Sequence, residues 1–177
     1  MSSDHTLYVA IGFPGSGKSH FKHHLINNHG AAVIYYNRDG EVKIAETTMS
    51  KTQARTYVHN AISNLLRNFH LSDASILYYD SVNSSFAGRQ YLYGLVHGSV
   101  KIHLIYFEPP LLIQEGKYSE YVDWLHNVRP SHECFPSTRT RAMTTISNIA
   151  QNFDTITEEE RSRFTITRFK SFLDISS

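Results

Sequence analysis

One segment near the amino terminus restricts the fold of this chain more than any other feature. Residues 12–19 read Gly-Phe-Pro-Gly-Ser-Gly-Lys-Ser and match the pattern G-x-x-x-x-G-K-[ST]. The apolar run from Leu7 to Ile11 precedes this segment and predicts a buried strand, and a helix is expected to begin at about Gly17. A strand, a turn of this kind and a helix, in that order, are typical of α/β domains.

The residue types of this segment are those that bind phosphate groups. Glycines let successive backbone N–H groups point at phosphate oxygens, and the start of a helix adds partial positive charge. Lys18 is expected to reach the β- and γ-phosphates of a nucleotide, and the Ser19 hydroxyl to ligate Mg²⁺. The expected site for ATP, or another nucleoside triphosphate, with Mg²⁺ comprises Gly12, Pro14, Gly15, Ser16, Gly17, Lys18 and Ser19. The pattern does not define the reaction.

Beyond this segment, strand and helix signals alternate along the chain. Further strands are expected near residues 31–36, 75–79, 101–107 and 164–169, and helices near residues 51–69, 86–96, 118–125 and 138–149. Alternation of this kind predicts right-handed crossovers and a parallel sheet with helices on both faces. We therefore predict a single α/β domain over residues 1–177.

Composition excludes several classes of protein. With 41% hydrophobic and 19% charged residues, the chain is neither disordered nor collagen-like, and no apolar run approaches the roughly 20 residues that a membrane span requires. The amino terminus lacks the basic region of a secretory signal, and the lone Cys134 suits a reducing compartment, so a cytoplasmic protein is expected. A net charge of +1 argues against coating long nucleic acids by charge alone, but not against a local basic cleft.

Two aspartates are expected at the carboxyl ends of strands, where ligands of open α/β sheets bind. Asp39 follows the second predicted strand, and Asp80 ends the third. One of them could complete the Mg²⁺ shell, and the other could accept a proton from an attacking hydroxyl. Spacing alone does not assign the two roles, and a turn or helix cap is the alternative interpretation of each.

Several segments of the sequence together resemble a known protein family. Residues 12–19, followed after the next predicted strand by Asn37-Arg38-Asp39, resemble the 5′-kinase domain of the polynucleotide kinases. Residues 80–89 and 126–129 are similar to further parts of that family, and residues 153–160 more weakly so. The resemblance covers nearly the whole chain and implies a P-loop kinase domain with a C-terminal lid at approximately residues 117–141.

The resemblance also implies roles for individual residues. Asp39 would be the general base for a 5′-hydroxyl, Lys18 would hold ATP, and Arg129 in the lid would contact the ATP phosphates. Residues implied on the acceptor side are Arg38, Asp80, Asn83 and Arg89, with Asp80 also a second candidate ligand of Mg²⁺. The implied reaction is Mg-ATP-dependent phosphorylation of the 5′-hydroxyl end of DNA or RNA, which makes a nucleic-acid end the implied partner.

The sequence departs from this family in ways that keep alternatives open. Phage-type members carry an arginine three residues after the catalytic aspartate, where this chain has Val42 followed by Lys43. The alternatives are a P-loop kinase of another hydroxyl, such as a hydroxymethylated base in DNA or a free nucleoside or nucleotide, and a non-catalytic ATP-binding module. The sequence does not indicate an oligomeric state.

Two groups of rings permit both a functional and a structural interpretation. Tyr35-Tyr36 and Tyr78-Tyr79 could stack on bases, but strand packing with satisfied hydroxyls is favoured. Residues 20, 23 and 24 are histidines on one predicted helix, and without the glutamate of a zinc-binding helix motif they predict a solvated face. Arg139 and Arg141, in the implied lid, are equally compatible with phosphate contact and with a solvated helix.

Overall fold

The five predicted strands form one parallel sheet. The computed structural model describes residues 5–128 and 135–171. Its strands are β1 (Thr6–Ile11), β2 (Val33–Asn37), β3 (Ile76–Asp80), β4 (Lys101–Phe107) and β5 (Thr165–Phe169). They lie in the order β2-β3-β1-β4-β5, and every neighbouring pair is parallel, which confirms the predicted α/β class.

Helices connect the strands and cover both faces of the sheet. They are α1 (Lys18–His29), α2 (Arg38–Ala45), α3 (Lys51–Asn68), α4 (Phe86–Leu95), α5 (Leu111–Gln114), α6 (Tyr118–Val128), α7 (Arg139–Gln151) and α8 (Glu158–Arg163). Short 3₁₀ turns lie at Gly30–Ala32 and Phe69–Leu71. Helix α3 begins with a capping box formed by Ser50 and Gln53. Among the described residues, no helix is long and apolar enough to cross a membrane.

The central strand β1 is buried on both sides, as expected for a parallel sheet between helices. Leu7 and Val9 point into the main core, which includes Ile62 of α3. Ala10 points to the opposite face and packs with Leu25 of α1. This double burial makes β1 a rigid support for the turn that follows it.

A second, smaller core joins α6 and α7 to the phosphate-binding turn. Phe13 of the turn packs with Tyr121 and Leu125 of α6 and with Ile146 of α7. The Tyr121 hydroxyl also donates a hydrogen bond to the carbonyl of Pro14. The turn is therefore held by the sheet on one side and by α6 on the other.

Three short helices, α2, α5 and α8, were not predicted from the sequence. Helix α2 begins directly after β2, where the Asn37 side chain accepts a hydrogen bond from the Gly40 N–H at 3.3 Å. Helix α8 begins with a capping box of Thr157 and Glu160. These helices have four to eight residues, too few for a helical hydrophobic period to stand out.

Candidate nucleotide-binding site

Residues 12–17 form a tight loop between β1 and α1, and Lys18 and Ser19 are the first residues of the helix. Gly15 and Gly17 have φ values of +82° and +109°, which residues other than glycine rarely adopt. A Cβ atom at Gly15 would also collide with the Leu125 side chain of α6. Helix α1 begins at Lys18 with no side-chain cap, so its amino-terminal dipole is directed at this loop.

The polar groups of the loop fit a bound phosphate. The Lys18 ammonium donates hydrogen bonds to the carbonyls of Gly12 at 3.0 Å and Phe13 at 2.8 Å, which holds its charge over the loop. The Ser16 hydroxyl is buried and has no hydrogen-bond partner among the described residues. A buried hydroxyl without a partner is costly, and a phosphate oxygen would supply the missing acceptor.

A tyrosine beneath the loop fixes the start of α1. The Tyr78 hydroxyl donates a 2.8 Å hydrogen bond to the carbonyl of Lys18. Burial raises the pKa of Tyr78 far above its usual range, so the hydroxyl remains a donor at any physiological pH. Tyr36 likewise donates to the Val58 carbonyl at 3.3 Å. The structure therefore confirms the packing interpretation for these tyrosines.

Asp39 and Asp80 lie in the same cleft as the loop but in different surroundings. Asp80 is buried, and its carboxylate accepts hydrogen bonds from Ser19 at 3.4 Å and from Tyr35 at 2.9 Å. Asp39 lies in the first turn of α2, where its side chain is 43% exposed and 3.5 Å from the Arg38 guanidinium. Both carboxylates line the cleft together with Gly15, Gly17, Lys18 and Ser19.

The Ser19 and Asp80 oxygens fit a magnesium ion. Both are hard oxygen ligands at the end of the loop that would carry the phosphates. Magnesium commonly takes one or two protein ligands and completes its shell with phosphate oxygens and water. The absence of a cluster of three His, Cys, Asp or Glu ligands among the described residues is compatible with such a site.

Arg89, which the resemblance places on the acceptor side, does not line the cleft that holds Asp39 and Asp80. Its side chain is fully buried and forms a two-pronged ion pair with Glu160, at 2.7 and 2.9 Å. Its remaining N–H groups donate to the carbonyls of Asn83, Ser84, Asp154 and Thr155. Arg89 therefore joins the loop after β3 to the segment before α8, and it positions the cleft wall from behind.

Asn83 connects the loop after β3 to the end of β1. Its φ is +47°, and its side-chain amide donates to the carbonyl of Ala10 at the end of β1, at 2.6 Å. The same loop receives a hydrogen bond from the Asp154 N–H to the Ser84 carbonyl at 2.8 Å. These bonds tie the strand ends of β1 and β3 together beside Asp80.

The buried ion pair should make stability depend on acidity. Burial alone would raise the pKa of Glu160, but hydrogen bonds from Arg89, the Thr157 N–H and Tyr93 outweigh burial and lower the pKa below 4.5. The stabilisation is thus fully present above pH 4.5, the ordinary value that the unfolded state retains, and is lost as pH falls through the lower folded-state value.

We expect Glu160→Gln to lower the free energy of unfolding at pH 7 and to flatten its decline at acid pH. The physical reason is that a glutamine cannot take up the proton that destabilises the wild type in acid. Urea unfolding at a series of pH values measures both effects. If the free energy of unfolding of the variant fell as steeply at acid pH as that of the wild type, other carboxylates would be the cause of the fall.

A pocket that sequence reasoning missed lies beside the phosphate loop. It is lined by Ser16, Gly17, His20, Phe21, His24, Phe107, Phe169 and Lys170. Phe107 and Phe169, which end adjacent strands, stack at 5.3 Å, and Phe169 is 37% exposed. His20 and His24, interpreted from the sequence as a solvated face, border this pocket. An exposed aromatic ring next to a phosphate site is suited to stacking on a nucleobase.

Arg129 of the implied lid lies outside the described residues, so the role implied for it stays a prediction. Of the other arginines in the implied lid, Arg139 pairs with Asp123 at 2.8 Å and braces α7 against α6. Arg141 lines a groove next to Asp39.

Solved structures of other proteins share this fold. Kti12 of Chaetomium thermophilum, in complex with ADP-AlF3, matches with a TM-score of 0.59 and 17% identity, over 93% of this chain and 88% of that one. A fungal RNA kinase matches at 0.57 and 13% identity, over 97% and 77% of the two chains. A gluconokinase of Sinorhizobium meliloti 1021 matches at 0.55 and 14%, over 97% and 84%.

The remaining comparisons add no further evidence on the fold. A match at 23% identity to a chain of the Pnkp1/Rnl/Hen1 complex covers 63% of this chain and 38% of that one, with a TM-score of 0.47. No protein-family model and no curated protein sequence matches the chain. This chain has the fold of the P-loop kinases. The evidence is its sheet order, its phosphate-binding loop and its similarity to the gluconokinase and to Kti12.

Proposed function

We propose that this protein is a kinase that transfers the γ-phosphate of Mg-ATP to the 5′-hydroxyl end of DNA or RNA. One observation carries the proposal: two carboxylates face the same phosphate loop, one buried beside Ser19 and the other exposed at the cleft mouth. A metal-binding acid and a general base need these two different surroundings.

Asp80 is suited to the metal and Asp39 to the acceptor. Asp80 is held by Ser19 and Tyr35 in a buried position, where its fixed negative charge would hold Mg²⁺ together with Ser19. Asp39 is 43% exposed and accepts a long, 3.5 Å hydrogen bond from Arg38, so an acceptor hydroxyl can reach it. When bound, Mg²⁺ would neutralise charge on the β- and γ-phosphates.

The chemical step follows from this arrangement. The Asp39 carboxylate takes the proton of the acceptor hydroxyl, and the freed oxygen attacks the γ-phosphorus. The bond from that phosphorus to the β–γ bridging oxygen breaks, and ADP leaves with the electron pair. Lys18 and the loop N–H groups compensate the charge that develops on the transferred phosphoryl oxygens. Arg129 is proposed to add to this compensation, as its position in the sequence implies.

The acceptor is the finer part of the proposal. The segment Asn37-Arg38-Asp39 and its likeness to polynucleotide kinases favour a nucleic-acid end, and a neighbour of the same fold is an RNA kinase. The fold alone does not select the acceptor, because a gluconokinase shares it. A non-catalytic ATP-binding module would have no chemical need for an accessible carboxylate at Asp39.

The aromatic pocket is proposed to hold the base of the donor nucleotide. Phe169→Ala should weaken ATP binding by roughly 5- to 150-fold, because stacking of a base on an aromatic ring contributes about 1–3 kcal/mol. Nucleotide titration measures the loss, and inorganic tripolyphosphate, which has no base, serves as the control ligand. Equal losses for ATP and tripolyphosphate would show that the variant disturbs the loop and that the base lies elsewhere.

A labelling experiment tests the proposed function. The protein is incubated with γ-labelled ATP and Mg²⁺ and with one of three acceptors: a 5′-hydroxyl oligonucleotide, its 5′-phosphorylated twin, or free nucleosides. Label should enter only the first acceptor, and Lys18→Ala should abolish its entry because that charge is needed in the transition state. Label entering nucleosides alone, or no acceptor, would overturn the proposal.

A further inference from the structure

A groove beside Asp39 concentrates positive charge. It runs between α2, α3 and the segment that leads into α7, and its charged lining residues are Arg38, Asp39, Lys43, Glu46, Lys51, Arg55 and Arg141. Five cationic side chains thus face two acidic ones, whereas the whole chain carries a net charge of only +1. The excess positive charge of this protein is therefore local rather than spread over its surface.

Two of these cations, Lys51 and Arg55, lack the ion-pair partners that other cations of the described residues have. Arg139, Arg161 and Arg163 each pair with a carboxylate of the same or a neighbouring helix. Within residues 5–128 and 135–171, the side chains of Lys51 and Arg55 form no ion pair or hydrogen bond, and both are exposed. These charges are available to an external ligand.

The placement of Lys51 and Arg55 does not serve the stability of α3. Lys51 is the first residue of the helix, where the dipole disfavours a positive charge, and the first turn contains no acidic residue. Arg55 follows one turn later, at the i, i+4 spacing that brings like charges together. Both features cost some helix stability, which a negatively charged ligand would offset.

The groove is continuous with the catalytic cleft through one residue. Asp39 lines both the cleft of the phosphate loop and this groove, and Arg38 beside it lies 3.5 Å from the Asp39 carboxylate. A chain of phosphates lying along Lys51 and Arg55 would therefore end at Asp39. A free nucleoside has no phosphates and would leave the groove unused.

We infer that this groove binds the phosphodiester backbone of a single nucleic-acid strand whose 5′-terminal hydroxyl lies at Asp39. The inference rests on the proposed function and deepens it, because it assigns the surface along which the strand behind the reacting end is bound. Val42 of α2 carries no charge, and Lys51 and Arg55 of the neighbouring helix α3 supply positive charge near the proposed general base, Asp39.

The test compares two double variants that remove the same charge. Lys51→Ala with Arg55→Ala empties one wall of the groove, and Arg67→Ala with Arg163→Ala removes two exposed arginines that do not line it. Fluorescence anisotropy follows binding of a 5′-hydroxyl oligonucleotide of about 12 nucleotides, labelled at its 3′ end, at several salt concentrations. ATP affinity, thermal unfolding and the kinetic constants of end phosphorylation are measured in parallel.

The groove variant should bind the oligonucleotide at least about 10-fold more weakly. The slope of log affinity against log salt concentration should become shallower by about 1.4, because two phosphate contacts are lost and each contact to a single strand contributes about 0.7 to the slope. Its KM for the oligonucleotide should rise while kcat and ATP affinity stay unchanged. The control variant should behave like the wild type.

Other outcomes overturn the inference. Equal behaviour of the two double variants would remove the groove as a binding surface even if end phosphorylation occurs, and the proposed function would stand. Loss of ATP affinity in the groove variant would assign these cations to the donor. Equally tight binding of polyglutamate would point to an acidic protein partner. If the oligonucleotide binds as expected but receives no label, the groove stands and the proposed reaction fails.

Discussion

Asp39→Asn is expected to bind Mg-ATP about as well as the wild type and to phosphorylate a 5′-hydroxyl end roughly 10²–10⁴-fold more slowly. The carboxylate is exposed at the cleft mouth and shares no hydrogen bond with Ser19, so its charge is not needed to hold the nucleotide. Asparagine keeps the shape of the side chain but cannot accept the proton. Nucleotide titration and single-turnover rates measure the two properties separately.

Asp80→Asn is the matched comparison for this prediction. Its carboxylate is buried between Ser19 and Tyr35, so loss of charge should weaken Mg-ATP binding as well as turnover. If Asp80→Asn instead bound Mg-ATP normally and was inert while Asp39→Asn turned over normally, the two roles would have to be exchanged. The alignment of Asn37-Arg38-Asp39 with the polynucleotide kinases would then be wrong.

Arg89→Ala is expected to lower the free energy of unfolding by about 3–5 kcal/mol, because it leaves Glu160 buried without its partner. Four backbone carbonyls in the loops beside the cleft would lose their donors as well. Urea unfolding measures the loss. Arg163→Ala, which breaks an exposed pair with Glu159, should cost about 0–1 kcal/mol and serves as the control.

A second variant separates the cost of an unpaired charge from a general loss of packing. Replacing Arg89 by Met and Glu160 by Leu together removes both charges and keeps most of the volume, so it should recover much of the stability that Arg89→Ala loses. A double variant as unstable as Arg89→Ala would show that the carbonyl contacts of Arg89, rather than its pairing, dominate.

The elements around the phosphate loop were predictable because their signals are local. The loop pattern lies between an apolar run and a helix start, and the capping box of α3 lies within residues 50–53. Helix α2 was missed because Gly40 and a length of eight residues conceal its period, although Asn37 is an ordinary helix cap. The carboxyl ends of β2 and β3 meet in register at Asn37 and Asp80, as parallel pairing requires.

The contacts that the sequence did not predict join distant segments. Arg89 and Glu160 are 71 positions apart, and charged residues in a helical pattern are normally assigned to the surface. Phe107 and Phe169 each end a strand and look like core residues until β4 and β5 are placed side by side. Tyr35 was expected to satisfy its hydroxyl at an edge of the sheet, and its partner proves to be Asp80.

The position of the transferred phosphoryl group within the product distinguishes phosphorylation of the 5′ end from phosphorylation of any other hydroxyl. A 5′-hydroxyl oligonucleotide is incubated with γ-labelled ATP, Mg²⁺ and the protein, and is then digested completely to 5′-mononucleotides. We expect all label in the product to be found in the nucleotide from the 5′ end. Label in internal nucleotides, or in inorganic phosphate alone, would contradict it.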